Sequence, residues 1–152
     1  MEIEIVWGAG EGPTGLSAFD AALAAAGIHN YNLVPLSSII PPDATLAETG
    51  MHEPSWPVGS LIGTVMASNR SSTPGDTISA GLGWTLADRG GVFFEEHGES
   101  VEHVEHQIKR GLNAAREHRP AWAWESNIET RAIEHRVEAN GAVVVAALYR
   151  AI

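Results

Sequence analysis

Between Asn30 and Pro42 the chain reads Asn-Tyr-Asn-Leu-Val-Pro-Leu-Ser-Ser-Ile-Ile-Pro-Pro. It starts as a strand-like apolar run, meets two adjacent serines, and stops at paired prolines. Proline fixes φ and removes a backbone donor, so no regular strand continues through Pro41-Pro42. Ser37 and Ser38 therefore fall where the chain leaves a sheet, a point at which a rigid scaffold can hold local backbone strain. Taken alone, the dipeptide reads most simply as solvated loop.

The 152 residues read as one domain, residues 1–152, long enough to bury a core without covalent staples. The absence of cysteine excludes disulfides, thiolate catalysis and cysteine-ligated zinc. Met1-Glu2-Ile3-Glu4-Ile5 carries acids where a secretion signal carries bases, and the longest apolar run, Ala142 to Tyr149, is too short to span a bilayer. A cytoplasmic protein with no membrane partner is the expectation. Net charge is −10, and Lys109 is the only lysine among nine bases. Such a surface repels polyphosphate and attracts cations, which disfavours nucleic acid and favours a cationic ligand. The same balance suits a salt-adapted proteome or plain solubility.

Along the chain, Glu2 to Trp7 alternates, with Ile3, Ile5 and Trp7 on one face of a half-buried strand. A glycine loop, Gly8 to Gly15, leads into a helix ending near Ala26, with Leu16, Phe19, Leu23 and Ala26 at helical spacing and Gly27 as its stop. Asp20 borders that apolar face. Gly10-Glu11-Gly12-Pro13-Thr14-Gly15 satisfies G-x-G-x-x-G, the dinucleotide fingerprint. Against it, Glu11 would sit beside a pyrophosphate, Pro13 deletes a donor, and no acid ends the next strand. A polar loop with Met51, His52 and Trp56 runs from Pro42 through Pro57, a length that suggests a functional loop or lid.

Strands are expected at Leu61 to Ser68 and Thr77 to Ala87, with a turn at Arg70 to Gly75 and a tight Asp88-Arg89-Gly90-Gly91 turn into Val92-Phe93-Phe94-Glu95-Glu96. Two acids close that bulky strand. Either Phe93 or Phe94 shields one of them, keeping it protonated as a general acid needs, or both end the strand in solvent. Ser100 caps a helix to about Arg119, with Val101, Val104, Ile108, Leu112 and Ala115 as its buried stripe. His103 and His106 have metal-sharing spacing but lie opposite the stripe, so a solvated face is expected and no metal. Ile128 to Glu138, Asn140-Gly141 and Ala142 to Leu148 read as a closing hairpin, with His135 a structural histidine on its buried face. Two helices interleaved with runs of strands give an α+β sandwich with mainly antiparallel sheets, not a doubly wound sheet.

Leu16-Ser17-Ala18-Phe19-Asp20-Ala21-Ala22-Leu23, Ala26-Gly27-Ile28, Asn32-Leu33 and Ser37-Ser38-Ile39-Ile40-Pro41-Pro42 together resemble the pyruvoyl-dependent arginine decarboxylases. Pro74 to Ala80, the strand end at Glu95 and the Gly141 segment continue the likeness in order, so it covers nearly the whole chain. The resemblance implies a four-layer αββα sandwich assembled as a homotrimer, or a multiple of one, with sites between subunits.

It also implies chemistry. Decarboxylation of an amino acid leaves a carbanion that needs an electron sink. In this family the second serine, here Ser38, attacks the Ser37 carbonyl and elimination splits the chain between 37 and 38. A short chain ends at Ser37, and a longer one begins with a pyruvoyl group derived from Ser38. That ketone would take up the amine of arginine. By the same resemblance Glu95 would return the proton, Asp20 would pair with the guanidinium, and Leu16 and Ser37 would line the substrate site. Asn32 would orient the scissile carbonyl. A sibling group acts on S-adenosylmethionine, which is also cationic, and an uncleaved relative would serve as a non-catalytic partner subunit.

Overall fold

The computed structural model describes residues 1–125 and 127–151. The elements are β1 (Glu2–Glu11), α1 (Gly15–Ala25), β2 (Asn32–Pro35), β3 (Ile39–Ile40), β4 (Thr45–Gly50) and β5 (Leu61–Ser71), then β6 (Thr77–Ala87), β7 (Gly90–Gly98), α2 (Val101–Glu117), β8 (Glu129–Arg136) and β9 (Gly141–Ala151). They form a five-stranded sheet, β2-β5-β9-β1-β4, and a four-stranded sheet, β3-β7-β6-β8. Most neighbours are antiparallel; β1 with β4 and β2 with β5 are parallel. Helix α1 covers the larger sheet and α2 the smaller, giving four layers.

The run Ala142 to Leu148 is apolar throughout because β9 is central and covered on both faces. Val143, Val145 and Ala147 point into the core between the sheets, alongside Ile3, Ile5, Leu82, Trp84 and Phe93. Ala142, Val144, Ala146 and Leu148 point the other way, against Ala18, Ala22 and Ala26 of the α1 layer. On the far side, Val104, Ile108, Leu112 and Ala115 form the buried stripe of α2. Caps close both helices: Thr14 and Ser17 make a reciprocal capping box on α1, and the Ser100 hydroxyl accepts from the His103 N–H on α2.

Three readings of the sequence are corrected. The glycine segment begins as strand, not loop: β1 continues to Glu11, and Gly8 and Gly10 face α1. A Cβ at Gly10 would lie 2.5 Å from the Ala22 nitrogen, so these glycines let an alanine-lined helix close on the sheet. Glu11 is occupied by His135 at 2.6 Å and by the Ala139 N–H at 2.9 Å, which removes the dinucleotide reading.

The closing segment is not a hairpin. Strand β8 pairs with β6 in the smaller sheet, whereas β9 pairs with β1 and β5 in the larger. Residues 137–140 therefore carry the chain between sheets. Both flanking strands alternate or are apolar as a hairpin's would be, and only the choice of partners distinguishes the two topologies.

The expected loop after Pro42 contains β4, an edge strand parallel to β1. Its polar composition, Thr-Leu-Ala-Glu-Thr-Gly, is that of a half-solvated edge. The segment after β4 is strapped down. Buried His52 lies 2.6 Å from Glu4 Oε1 through Nδ1, stacks on Trp56 at 4.3 Å, and its backbone N–H donates to the Ala26 carbonyl. Strand β5 also runs three residues beyond its expected end at Ser68.

Candidate active site

The chain first changes sheets at the serine pair. Strand β2 belongs to the larger sheet and β3 to the smaller. The Leu36 N–H donates to the Thr64 carbonyl at 3.0 Å, a bond to the first sheet, and the Ser38 carbonyl accepts from Phe93 N–H at 2.8 Å, a bond to the second. The Ser37–Ser38 peptide is strung between those anchors. Among the described residues Ser38 is the only non-glycine with positive φ, at 69°. That left-handed conformation costs an L-residue about 1–2 kcal/mol, and the two anchors hold it there.

The anchoring also aims the side chain. The Ser38 hydroxyl donates to Glu95 Oε2 at 3.0 Å and lies 3.4 Å from Oε1. Glu95 arrives on β7, three residues after the Val92 that pairs with Ile39. Its carboxyl is exposed in the single chain, because β7 sends Phe93 into the inter-sheet core and Phe94 toward α2; neither ring covers Glu95. Shielding by a phenylalanine is therefore not what this chain alone provides.

Ser37, Ser38, Phe94, Glu95 and Arg119 line a cleft of about 280 Å³. Glu95 also borders a smaller hollow of about 150 Å³ formed by Leu33, Pro35, Leu36, Thr64 and Met66. The Tyr149 hydroxyl donates to the Ile39 carbonyl at 2.7 Å. Burial pushes the Tyr149 phenol above its ordinary range, and the Glu95 charge adds to the effect, so it stays a neutral donor. A hydroxyl on a carboxylate, joined covalently to the carbonyl it would attack, is an activated nucleophile with proximity assured.

The other sequence-derived residues lie elsewhere. Asp20 and Leu16 sit on α1, Leu16 70% exposed, bordering a groove of about 570 Å³ with Phe19 and Leu23; this groove shares no residue with the Ser38 cleft. The Asn32 Nδ2 donates to the Gly59 carbonyl at 2.9 Å. Within this chain Asn32 and the serine pair lie at opposite ends of β2. His103 and His106 face outward from α2, and no group of three His, Asp or Glu residues among those described is arranged to hold a metal. Tyr149 and Arg119 were not legible as site residues: Tyr149 looks like the tail of an apolar run, and Arg119 like a helix terminus before Pro120.

Fold and site together define an αββα sandwich in which a strained serine peptide bridges two sheets, its hydroxyl held by a carboxylate. The chain belongs to the pyruvoyl-dependent arginine decarboxylase family, whose model matches residues 2–151. The family is one of carboxy-lyases with a covalently bound pyruvoyl group. A protein of Halobacterium salinarum named pyruvoyl-dependent arginine decarboxylase is 36% identical over 149 residues, covering 97% of this chain and 92% of that protein. One of the same name from Methanocaldococcus jannaschii is 37% identical, covering 95% and 87%. Another, from Pyrococcus abyssi, is 41% identical over 111 residues, covering 68% and 69%.

Proposed function

We propose that this chain cuts itself between Ser37 and Ser38 and then decarboxylates L-arginine to agmatine and carbon dioxide. The observation that carries the reading is the strained Ser38, whose hydroxyl rests on Glu95 while its carbonyl is pinned by Phe93. Ser38, from which the pyruvoyl group would be made, is the strained residue, and its hydroxyl is held by a carboxylate; both features favour scission there. When formed, the group supplies the electron sink that amino-acid decarboxylation requires.

The chain's own residues do the rest. Glu95 first holds the Ser38 hydroxyl and later, from the same position beside residue 38, returns a proton to the substrate α-carbon. Phe94 and Leu36 keep the surroundings of that carbon apolar, which favours loss of a charged carboxylate. Asp20 pairs with the guanidinium and Leu16 lines the side-chain channel; both come from a neighbouring copy. Support for that last point is the exposed Leu16, Asp20 groove, which lies apart from the cleft it would complete. Asn32 acts in the same way, from across a subunit boundary or through the loop at Gly59. A homotrimer of cleaved protomers in the cytoplasm is the corresponding assembly. Among the described residues no helix is long and apolar enough to cross a membrane.

Intact-mass spectrometry of the purified protein tests the cut: two fragments are expected, the larger without a free amino terminus. A single unbroken chain that still turns over substrate would end the proposal. Labelled carbon dioxide released from arginine, but not from S-adenosylmethionine, identifies the substrate.

A further inference from the structure

We propose that Arg119 is the charge partner of the Ser37 carboxylate that departs from residue 38 during self-cleavage, an inference that rests on the cleavage reading above. In that reaction Ser38 Oγ adds to the Ser37 carbonyl carbon, the peptide C–N bond breaks, and the Ser38 nitrogen takes the proton, leaving an ester. A base then removes the α-proton of residue 38, the Cβ–O bond breaks, and its electron pair leaves with Ser37 as a carboxylate. The resulting dehydroalanine rearranges, adds water and releases ammonia. The elimination step therefore creates a new negative charge in the cleft, where Glu95 already stands.

The charges around that point are few. Of the described side chains lining the cleft Arg119 is the only base and Glu95 the only acid, and the two are not paired. Among the described residues Arg119, like the other arginines apart from Arg131, makes no ion pair. No carboxylate holds its charge, in a molecule of net charge −10. A carboxylate leaving beside Glu95 without a cation would meet only repulsion and would be a poor leaving group.

Arg119 is also held in place beforehand. Helix α2 ends at Glu117, and Arg119 comes just after the cap, fixed by the Pro120 after it. Its N–H donates to the Arg116 carbonyl at 3.0 Å, its Nη1 donates to the Ala115 carbonyl at 3.0 Å, and the guanidinium lies 5.7 Å from the centre of the Trp122 ring. One edge of the fork is thereby spent on the last turn of α2. A donor already oriented when charge develops acts without reorganisation, and a planar guanidinium suits a carboxylate.

The test is the rate and product of scission, read by mass rather than by decarboxylation. Freshly made Arg119→Gln should cleave about 10–100-fold more slowly than the unaltered chain. It should also accumulate the ester, which hydroxylamine cuts to give a long fragment beginning with an ordinary Ser38 amine. Arg119→Lys, which keeps the charge, should cleave within a few-fold of the native rate. Native-rate cleavage of Arg119→Gln overturns the assignment, as does a slow variant with no hydroxylamine-sensitive ester. So does an Arg119→Lys chain as slow as Arg119→Gln, since charge is then not what matters. Failure of the unaltered chain to cut would instead sink the cleavage reading itself.

Discussion

The Tyr149 hydroxyl donates to the Ile39 carbonyl at 2.7 Å, tying the last strand of the larger sheet to the residue after Ser38 in the smaller. The bond is a strut across the gap that the serine peptide also spans. Tyr149→Phe keeps the ring against Phe93 and removes only the strut. It should cost about 1 kcal/mol of stability, as a typical intramolecular hydrogen bond does. Because residue 39 then relaxes, Ser38 should lose strain and the chain should cleave several-fold more slowly. A urea titration of the uncleavable Ser38→Ala background gives the first quantity, and a time course on denaturing gels the second.

Glu95→Gln preserves an oxygen to accept from Ser38 but supplies no carboxyl proton. Scission should therefore continue to completion, more slowly, while turnover of arginine falls by about 10²–10⁴-fold, the span usual for loss of a general acid. Full activity in this variant would refute the assignment of the acid. Separate assays of fragment formation and of released carbon dioxide distinguish the two effects.

Asp20→Asn leaves the size of the side chain unchanged and removes its charge. Fully cleaved variant protein should show a KM for arginine raised about tenfold or more, with a smaller change in kcat, because the proposed contact is a charge-assisted one far from the reacting carbon. Steady-state kinetics at fixed ionic strength measure both constants.

Gly10→Ala puts a methyl group 2.5 Å from the Ala22 nitrogen and 2.6 Å from the Ala21 Cβ. Helix α1 must shift outward, at a cost of about 1–3 kcal/mol. A nucleotide-binding loop at this position would instead show its defect in ligand binding. Thermal unfolding of the variant checks the packing reading.

The Glu11 carboxyl is held below the usual carboxylate range, first by its hydrogen bond to His135 and then by the Ala139 N–H. Its folded pKa is lower than its unfolded one, so the folded chain binds fewer protons there. That contribution is fully present above the ordinary carboxylate pKa and fades as pH falls through the lowered value. Glu11→Gln should thus be less stable than the native chain at neutral pH, and the gap should close in acid. Urea midpoints of both chains at several pH values read it directly.

The stripe of α2 and the alternation of Ile3, Ile5 and Trp7 were readable from spacing, because each depends on neighbours within a few residues. Resemblance brought Ser38 and Glu95 into one site, 57 positions apart in the chain, and the hydrogen bond joins them. The glycines of β1 read as loop because strand glycines facing a helix and loop glycines look the same in sequence. The apparent closing hairpin failed for a related reason, since Asn140-Gly141 fits either a turn or a crossing.

By itself, then, the order of residues determined the Val104, Ile108, Leu112 and Ala115 stripe of α2, the Ile3 and Ile5 face of β1, and where two serines meet a barrier of prolines. Those are local consequences of backbone sterics and hydrophobic spacing. The order of residues did not determine the inner face of α1, which buries Ala18 and Ala22 and leaves Leu16 70% exposed. Only the packed sheets decided that the serine peptide spans them, that Ser38 is held at positive φ, and that Tyr149 and Arg119 flank it. Each of these depends on anchors far apart in the chain, and no local spacing encodes which strand lies beside which.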